Sequence, residues 1–242
     1  MTGLGTLVNV AAVIVGGTVG TFVKKGLPER FKSIIVQAIG LSVLMIGISG
    51  VLQGMFRVVG GGKLDRLYIM VMIFSMIIGG IIGEIINIEK KLDSLGNWFQ
   101  KRLSKEGSSF SEGFVNASLL FCVGAMAIVG SLEDGLLGNP GTLYAKSILD
   151  GVISIVFAST LGIGVAFSAL SILVYQGSIT LLAVWVKPWL TDIVISQMSL
   201  VGSVLIFCIG INILEIRKIK VGNLLPAVFM PLLYYIITTI VL

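Results

Sequence analysis

Residues 151–186 read GVISIVFASTLGIGVAFSALSILVYQGSITLLAVWV, 36 positions without a charged side chain. As one α-helix, at 1.5 Å per residue, this stretch would be about 54 Å long. The hydrocarbon of a bilayer is about 30 Å thick and takes about 20 apolar residues to cross. The run is too long for one crossing and suits two, with Gly162-Ile163-Gly164 as the break between them. Read outward from here, the chain predicts a bundle of membrane-spanning helices.

The composition agrees. Of 242 residues, 56% are hydrophobic and 12% charged, and the mean hydropathy is +1.05. Soluble domains carry about a quarter charged residues. Glycine occurs 31 times, about 13% where about 7% is usual, and without a collagen period. Membrane helices use glycine to bring backbones together. There is no histidine, which removes the commonest proton carrier near neutral pH and the commonest zinc or haem ligand. Cys122 and Cys208 both lie in apolar runs and read as packing residues. The net charge of +5 comes from basic residues between apolar spans, where they set topology; no nucleic-acid surface is implied. The first apolar stretch starts at Gly3 without a basic leader and reads as a span.

Eight spans are predicted, near 5–23, 33–53, 67–88, 114–132, 146–165, 166–186, 195–214 and 224–242, or seven if one segment is re-entrant. Lys24, Lys25, Arg30, Lys32, Lys90, Lys91, Lys101, Arg102, Lys105, Arg217, Lys218 and Lys220 fall on one side of the membrane. Arg57, Lys63, Arg66, Lys146 and Lys187 fall on the other. Twelve against five places both termini of this multi-pass chain outside and the longest loop in the cytoplasm. In that loop, Leu92, Leu95, Phe99 and Leu103 recur at helical spacing over Glu89–Lys105, with Trp98 beside them. They predict an amphipathic helix on the inner interface, as a surface brace or a partner-binding face. Residues 107–113 read as a flexible connector.

The chain also echoes itself. Val8-Asn9 with Gly17 eight residues after the Asn matches Val115-Asn116 with Gly124. Lys32-Ser33-Ile34-Ile35 matches Lys146-Ser147-Ile148-Leu149, and Phe121-Cys122-Val123-Gly124 matches Phe207-Cys208-Ile209-Gly210. The reading is a three-span unit over residues 1–112, including the interfacial helix, a second over 113–190, and a closing two-span hairpin over 191–242. An odd number of spans per unit makes successive copies cross in opposite directions, the inverted repeat that recurs in secondary transporters. Chance similarity among apolar sequences is the alternative. Gly16-Gly17-Thr18-Val19-Gly20 and Gly79-Gly80-Ile81-Ile82-Gly83 are small-residue faces for close helix contact; following no strand, they suggest no nucleotide loop.

Polar groups at membrane depth mark function by default. Asp150, about one turn into the fifth span, is a site residue or a local cap, and Glu84 reaches a site or interfacial water. Asn9 and Asn116 occupy matching repeat positions, where an amide binds a solute or cation or simply bonds a neighbouring helix. Ser154, Ser159, Thr160, Ser168, Ser171, Tyr175, Gln176 and Ser178 make the most polar region, with a possible kink at Gln176-Gly177. Single hydroxyls more often bond back to their own helix. The candidate solute- or ion-binding set is Asn9, Asn116, Asp150, Ser154 and Gln176. With no basic residue read inside these spans, it suits a cation or a neutral or zwitterionic solute. No cofactor is expected, and whether a metal is bound stays open.

Leu120-Phe121-Cys122-Val123-Gly124-Ala125-Met126-Ala127-Ile128-Val129-Gly130-Ser131, with Asp134-Gly135, Lys146-Ser147-Ile148-Leu149-Asp150-Gly151, Thr160-Leu161-Gly162-Ile163-Gly164-Val165 and Tyr175-Gln176-Gly177, resembles the YdfK/YqgA-like family of bacterial inner-membrane proteins. The resemblance covers essentially the whole chain. It implies a bacterial cytoplasmic membrane protein with a membrane or transport role, and supplies neither substrate nor mechanism. The expected fold is all-α and polytopic. The expected function is transport of a small solute or ion by alternating access, with lipid and solute as partners and a homo-oligomer as an option. An ion channel and a non-transporting scaffold or signalling partner are the rivals. An enzyme is not expected, since Cys122 or Ser131 would act without an evident base.

Overall fold

The computed structural model describes residues 2–26, 28–60, 62–91, 94, 98, 109–122 and 125–241. Its helices are α1 (Leu4–Gly26), α2 (Glu29–Met55), α3 (Ile69–Ile86), α4 (Ser109–Cys122), α5 (Ala125–Leu137), α6 (Gly141–Leu161), α7 (Gly164–Leu181), the short α8 (Ala183–Val186), α9 (Asp192–Ile213), the short α10 (Val221–Leu224) and α11 (Met230–Val241). Between α10 and α11 lies a 3-10 turn, Leu225–Phe229. Pro226 near its start has no amide hydrogen to donate to the helical ladder. A two-stranded antiparallel hairpin, β1 (Phe56–Val59) and β2 (Lys63–Arg66), joins α2 to α3. It carries Arg57, Lys63 and Arg66, and nothing in the sequence reading anticipates it.

Among the described residues, seven helical segments are long and apolar enough to cross a membrane. The pair Phe110–Cys122 and Met126–Leu137, bent by 62°, makes an eighth if taken as one broken span. Taken as one span, the pair is longer than the fourth span expected near 114–132; taken as a re-entrant segment, it leaves the seven. Ser109 to Gly113, expected as connector, are already helical, and Phe110 and Phe114 are buried. Leu92, Leu95, Phe99 and Leu103 of the expected interfacial helix lie outside the described residues. The last span begins at Val221, three residues before its expected start.

The chain divides into two compact units. Unit 1 comprises Met1–Ile39, Lys90–Cys122 and Met126–Lys187; unit 2 comprises Gly40–Glu89, Val123–Ala125 and Pro188–Leu242. In unit 1, α1 is the central helix. A Cβ at Gly16 would fall on the Gly151 carbonyl of α6, and one at Gly20 on that of Ile155, so α1 and α6 run parallel at backbone contact. Gly17 faces Ala166 of α7 in the same way, and Asn9 lies beside Gln176, so α7 runs antiparallel to α1. The first small-residue motif thus serves two neighbours, and close packing of this kind holds membrane helices together without a hydrophobic driving force. Helix α6 ends at Gly162, whose φ of +82° suits glycine. The chain reverses there into α7, so the 36-residue run is two crossings. Helix α4 runs parallel to α7, with Phe110 at Gly164 and Ser118 bonded to Ser171 at 2.9 Å. Val15, Phe22, Ile148, Val152 and Val174 are exposed large apolar side chains, suited to lipid.

In unit 2, Gly40, Gly47 and Gly54 of α2 repeat every seven residues and meet Leu214, the C-cap of α9, and Phe207 and Leu200 within it, in antiparallel order. Gly79 and Gly83 of α3 lie against the backbones of Ala227 and Asn223. The second small-residue motif is thus also a packing face.

Candidate functional site

The parallel contact of α1 and α6 brings the amide of Asn9 against the carboxylate of Asp150. Asn9 Nδ2 donates to Asp150 Oδ2 at 3.0 Å and to Gln176 Oε1 of α7 at 3.3 Å. Lys146, one turn before Asp150, donates its Nζ to Asp150 Oδ1 at 2.9 Å and stands 2.8 Å from Oδ2. Asn9 and Gln176 are fully buried, and Asp150 and Lys146 nearly so. Three helices therefore converge on one ion pair. Helix α6 starts at Gly141, so Asp150 lies about 13 Å along it, two and a half turns in, deeper than the single turn read from the sequence.

Lys146 corrects the sequence reading twice. Expected as a loop residue that sets topology, it lies inside the span and neutralises the carboxylate. The basic residues counted on the outer side fall from five to four, against twelve. Taking two charges out of water costs several kcal/mol each, and only mutual attraction with further hydrogen bonds offsets it. Asn9 supplies one of those bonds.

The cluster is not fully paired. Asn9 Oδ1, Gln176 Nε2 and Ser154 Oγ are buried and have no hydrogen-bond partner. Ser154 lies one turn beyond Asp150 on α6 and is fully buried. Its neighbours behave differently: Ser159, Thr160, Ser168 and Ser178 donate to carbonyls of their own helices, at 2.6 to 2.9 Å. An acceptor, an amide donor and a hydroxyl thus stand unused beside an ion pair of zero net charge. Buried polar atoms without partners cost about 1–3 kcal/mol each, so their concentration at one place is informative.

Of the five expected site residues, Asn9, Asp150 and Gln176 meet directly and Ser154 adjoins them. Asn116 is buried in α4, and no described hydrogen bond links it to the cluster. The pairing of α4 with α7 puts it level with residues 169–170, about 10 Å along the axis from Gln176. Gln176-Gly177 does not break the helix: α7 is continuous from Gly164 to Leu181. Glu84 belongs elsewhere, in unit 2. It is half exposed, pairs with Lys220 at 2.5 Å and accepts from Asn223 Nδ2 at 2.6 Å, which ties α3 to the start of the last span. Ser131 donates to the Ala127 carbonyl at 2.6 Å. Among the described residues no three His, Cys, Asp or Glu side chains gather as a metal site.

Sequence reasoning missed Lys146, whose spacing of four from Asp150 was the available signal. It also missed a second buried group. Asp134 near the C-terminal end of α5 is fully buried and accepts from the Gly5 amide at 3.0 Å, capping α1. Its Oδ1, Thr6 Oγ1 and Thr180 Oγ1 are buried without partners. Thr6 precedes Asn9 by three residues and Thr180 follows Gln176 by four, so both share faces with the first cluster.

Helices of membrane length, glycine-mediated packing and charged residues buried at mid-span define an all-α polytopic membrane protein. Its sequence matches the family described as "Protein of unknown function (DUF554)" over residues 4–236, and the chain belongs to that family. It is 37% identical over 227 residues to "Uncharacterized membrane protein YdfK" of Bacillus subtilis (strain 168), covering 94% of this chain and 93% of that one. It is 31% identical over 232 residues to "Uncharacterized protein YqgA" of Escherichia coli (strain K12), covering 94% of each. No solved structure matches the chain.

Proposed function

We propose that this protein is a secondary transporter, not an enzyme, which moves a small neutral or zwitterionic solute across the bacterial inner membrane by alternating access. The observation that carries this reading is the unused acceptor, amide donor and hydroxyl of Asn9, Gln176 and Ser154 around a neutral, buried ion pair. Groups of this kind at mid-membrane suit a solute that brings both donors and acceptors. Since Lys146 already balances Asp150, a cation is disfavoured there relative to the expectation from sequence. The bent α4–α5 pair supports the same reading, because discontinuous helices and re-entrant segments that line cavities recur in transporters. The inverted repeat has support too: α4 runs opposite to α1 within unit 1, as the matching of Asn116 with Asn9 requires. With Lys146 withdrawn, the basic residues favour outside termini more strongly.

Asp150→Asn is a poor probe, since it leaves Lys146 buried without its charge partner. Ser154→Ala removes an unpartnered hydroxyl, and Gln176→Met removes an unpartnered amide donor together with the acceptor of the 3.3 Å bond from Asn9; neither removes a bond to the carboxylate. In proteoliposomes loaded with a panel of radiolabelled amino acids, polyols and small amides, one class should exchange saturably. Each variant should weaken that exchange at least tenfold while eluting as folded protein. Exchange by both variants at the wild-type rate would overturn the assignment.

A further inference from the structure

The group around Asp134 differs from the first cluster in one respect: it has no counter-charge. Among the described residues Asp134 makes no ion pair, and the ammonium of Lys146 is held by Asp150. Its neighbour Glu133 turns away, accepting from Thr142 at 2.6 Å. A carboxylate in a dry interior without a partner is costly, and one hydrogen bond from Gly5 serves only Oδ2.

Three buried, unpartnered oxygens belong to residues that the helix register brings to the same level. Asp134 is anchored beside Thr6 by its bond to Gly5. The next residue, Gly135, packs against the Thr180 carbonyl so closely that a Cβ would strike it. Helices α1 and α7 are antiparallel, with Gly17 at Ala166 and Asn9 at Gln176. One turn further in the same direction brings Thr6 opposite Thr180. Thr6 and Thr180 are 2% and 3% exposed and Asp134 is 0% exposed, and each keeps one oxygen without a partner.

We propose that Asp134, Thr6 and Thr180 bind a monovalent cation the size of sodium, at a site one turn of α1 from the Asn9–Asp150–Gln176 cluster. One carboxylate and two hydroxyls match a hard ion of single charge, whereas calcium takes six to eight oxygens and usually several carboxylates. Thr180 lies in the last turn of α7, where the helix dipole is negative and favours a cation. The cation supplies the charge that Lys146 supplies to Asp150. The assignment stands apart from the solute reading, because it is tested with no solute present.

The experiment is the unfolding temperature of the full chain in detergent, titrated with NaCl, LiCl or KCl against choline chloride at constant ionic strength. Sodium should raise it saturably, by a few degrees at a hundredfold excess over the dissociation constant. Asp134→Asn, which keeps an acceptor for Gly5, should abolish the rise. Thr6→Val and Thr180→Val should each weaken the apparent affinity at least tenfold, and they decide the matter if Asp134→Asn does not fold. Ser154→Ala should leave the sodium response intact. A wild-type protein indifferent to all three cations overturns the proposal, as does a sodium response unchanged in both threonine variants. A sodium response without solute exchange leaves this site standing and removes the transport reading.

Discussion

Two aspartates are buried in the same unit, and they solve the same physical problem in different ways. Asp150 is mid-span, held by Lys146 on its own helix and by Asn9 of α1. Asp134 is at the end of α5 and receives one backbone amide, at the first turn of α1. The first is a closed ion pair whose neighbours retain unused polar atoms; the second is a carboxylate whose own oxygen is unused. On the proposed reading, a pair of zero charge leaves neighbouring amides and hydroxyls to recognise a neutral or zwitterionic molecule, and an unbalanced carboxylate attracts a positive ion. The two proposed sites lie about one helical turn apart along α1.

The comparison breaks most readily at Lys146. Lys146→Met should destabilise the protein by about 3–5 kcal/mol, because it leaves Asp150 charged and alone. The double variant Lys146→Met, Asp150→Leu should recover most of that loss in chemical unfolding in detergent. Equal loss in the single and double variants would show that the pair is not the unit of stability. Asp134→Ala should cost less, about 1–3 kcal/mol, through the unsatisfied Gly5 amide and the lost cap of α1. A cost as large as that of Lys146→Met would mean that Asp134 is also part of an ion pair, contrary to the geometry. Glu84→Gln gives the smallest effect: its pair with Lys220 is exposed on both sides. No measurable change in unfolding temperature is expected, and a large one would mean that exposure does not separate the carboxylates.

Much of the fold was legible because membrane spans obey a length rule. Charge-free runs such as 151–186 show where helices must be, and Gly162 shows where one must stop. The small-residue motifs were equally legible, since Gly16, Gly20, Gly79 and Gly83 serve the close contacts their spacing implies. Most of the candidate cluster was legible from polarity alone, since Asp150, Gln176, Asn9 and Ser154 stand out against apolar neighbours. Lys146 did not, because a lysine near a predicted span end normally reaches water along its aliphatic stem. Only the earlier start of α6, at Gly141, buries it. Thr6 and Thr180 were invisible for a related reason: a threonine in a membrane helix ordinarily bonds to its own backbone, as Thr160 does.

By itself, then, the sequence determined that this chain lives in a bilayer as a helical bundle, because apolar length and glycine spacing are local properties that no fold can override. The tertiary structure decided which polar groups meet. Asn9 and Asp150 are 141 residues apart, and Gly5 and Asp134 are 129 apart. Such pairings depend on the order in which helices pack and on which way each one runs. Whether a buried carboxylate is balanced or bare depends on a neighbour that a one-dimensional pattern does not reveal.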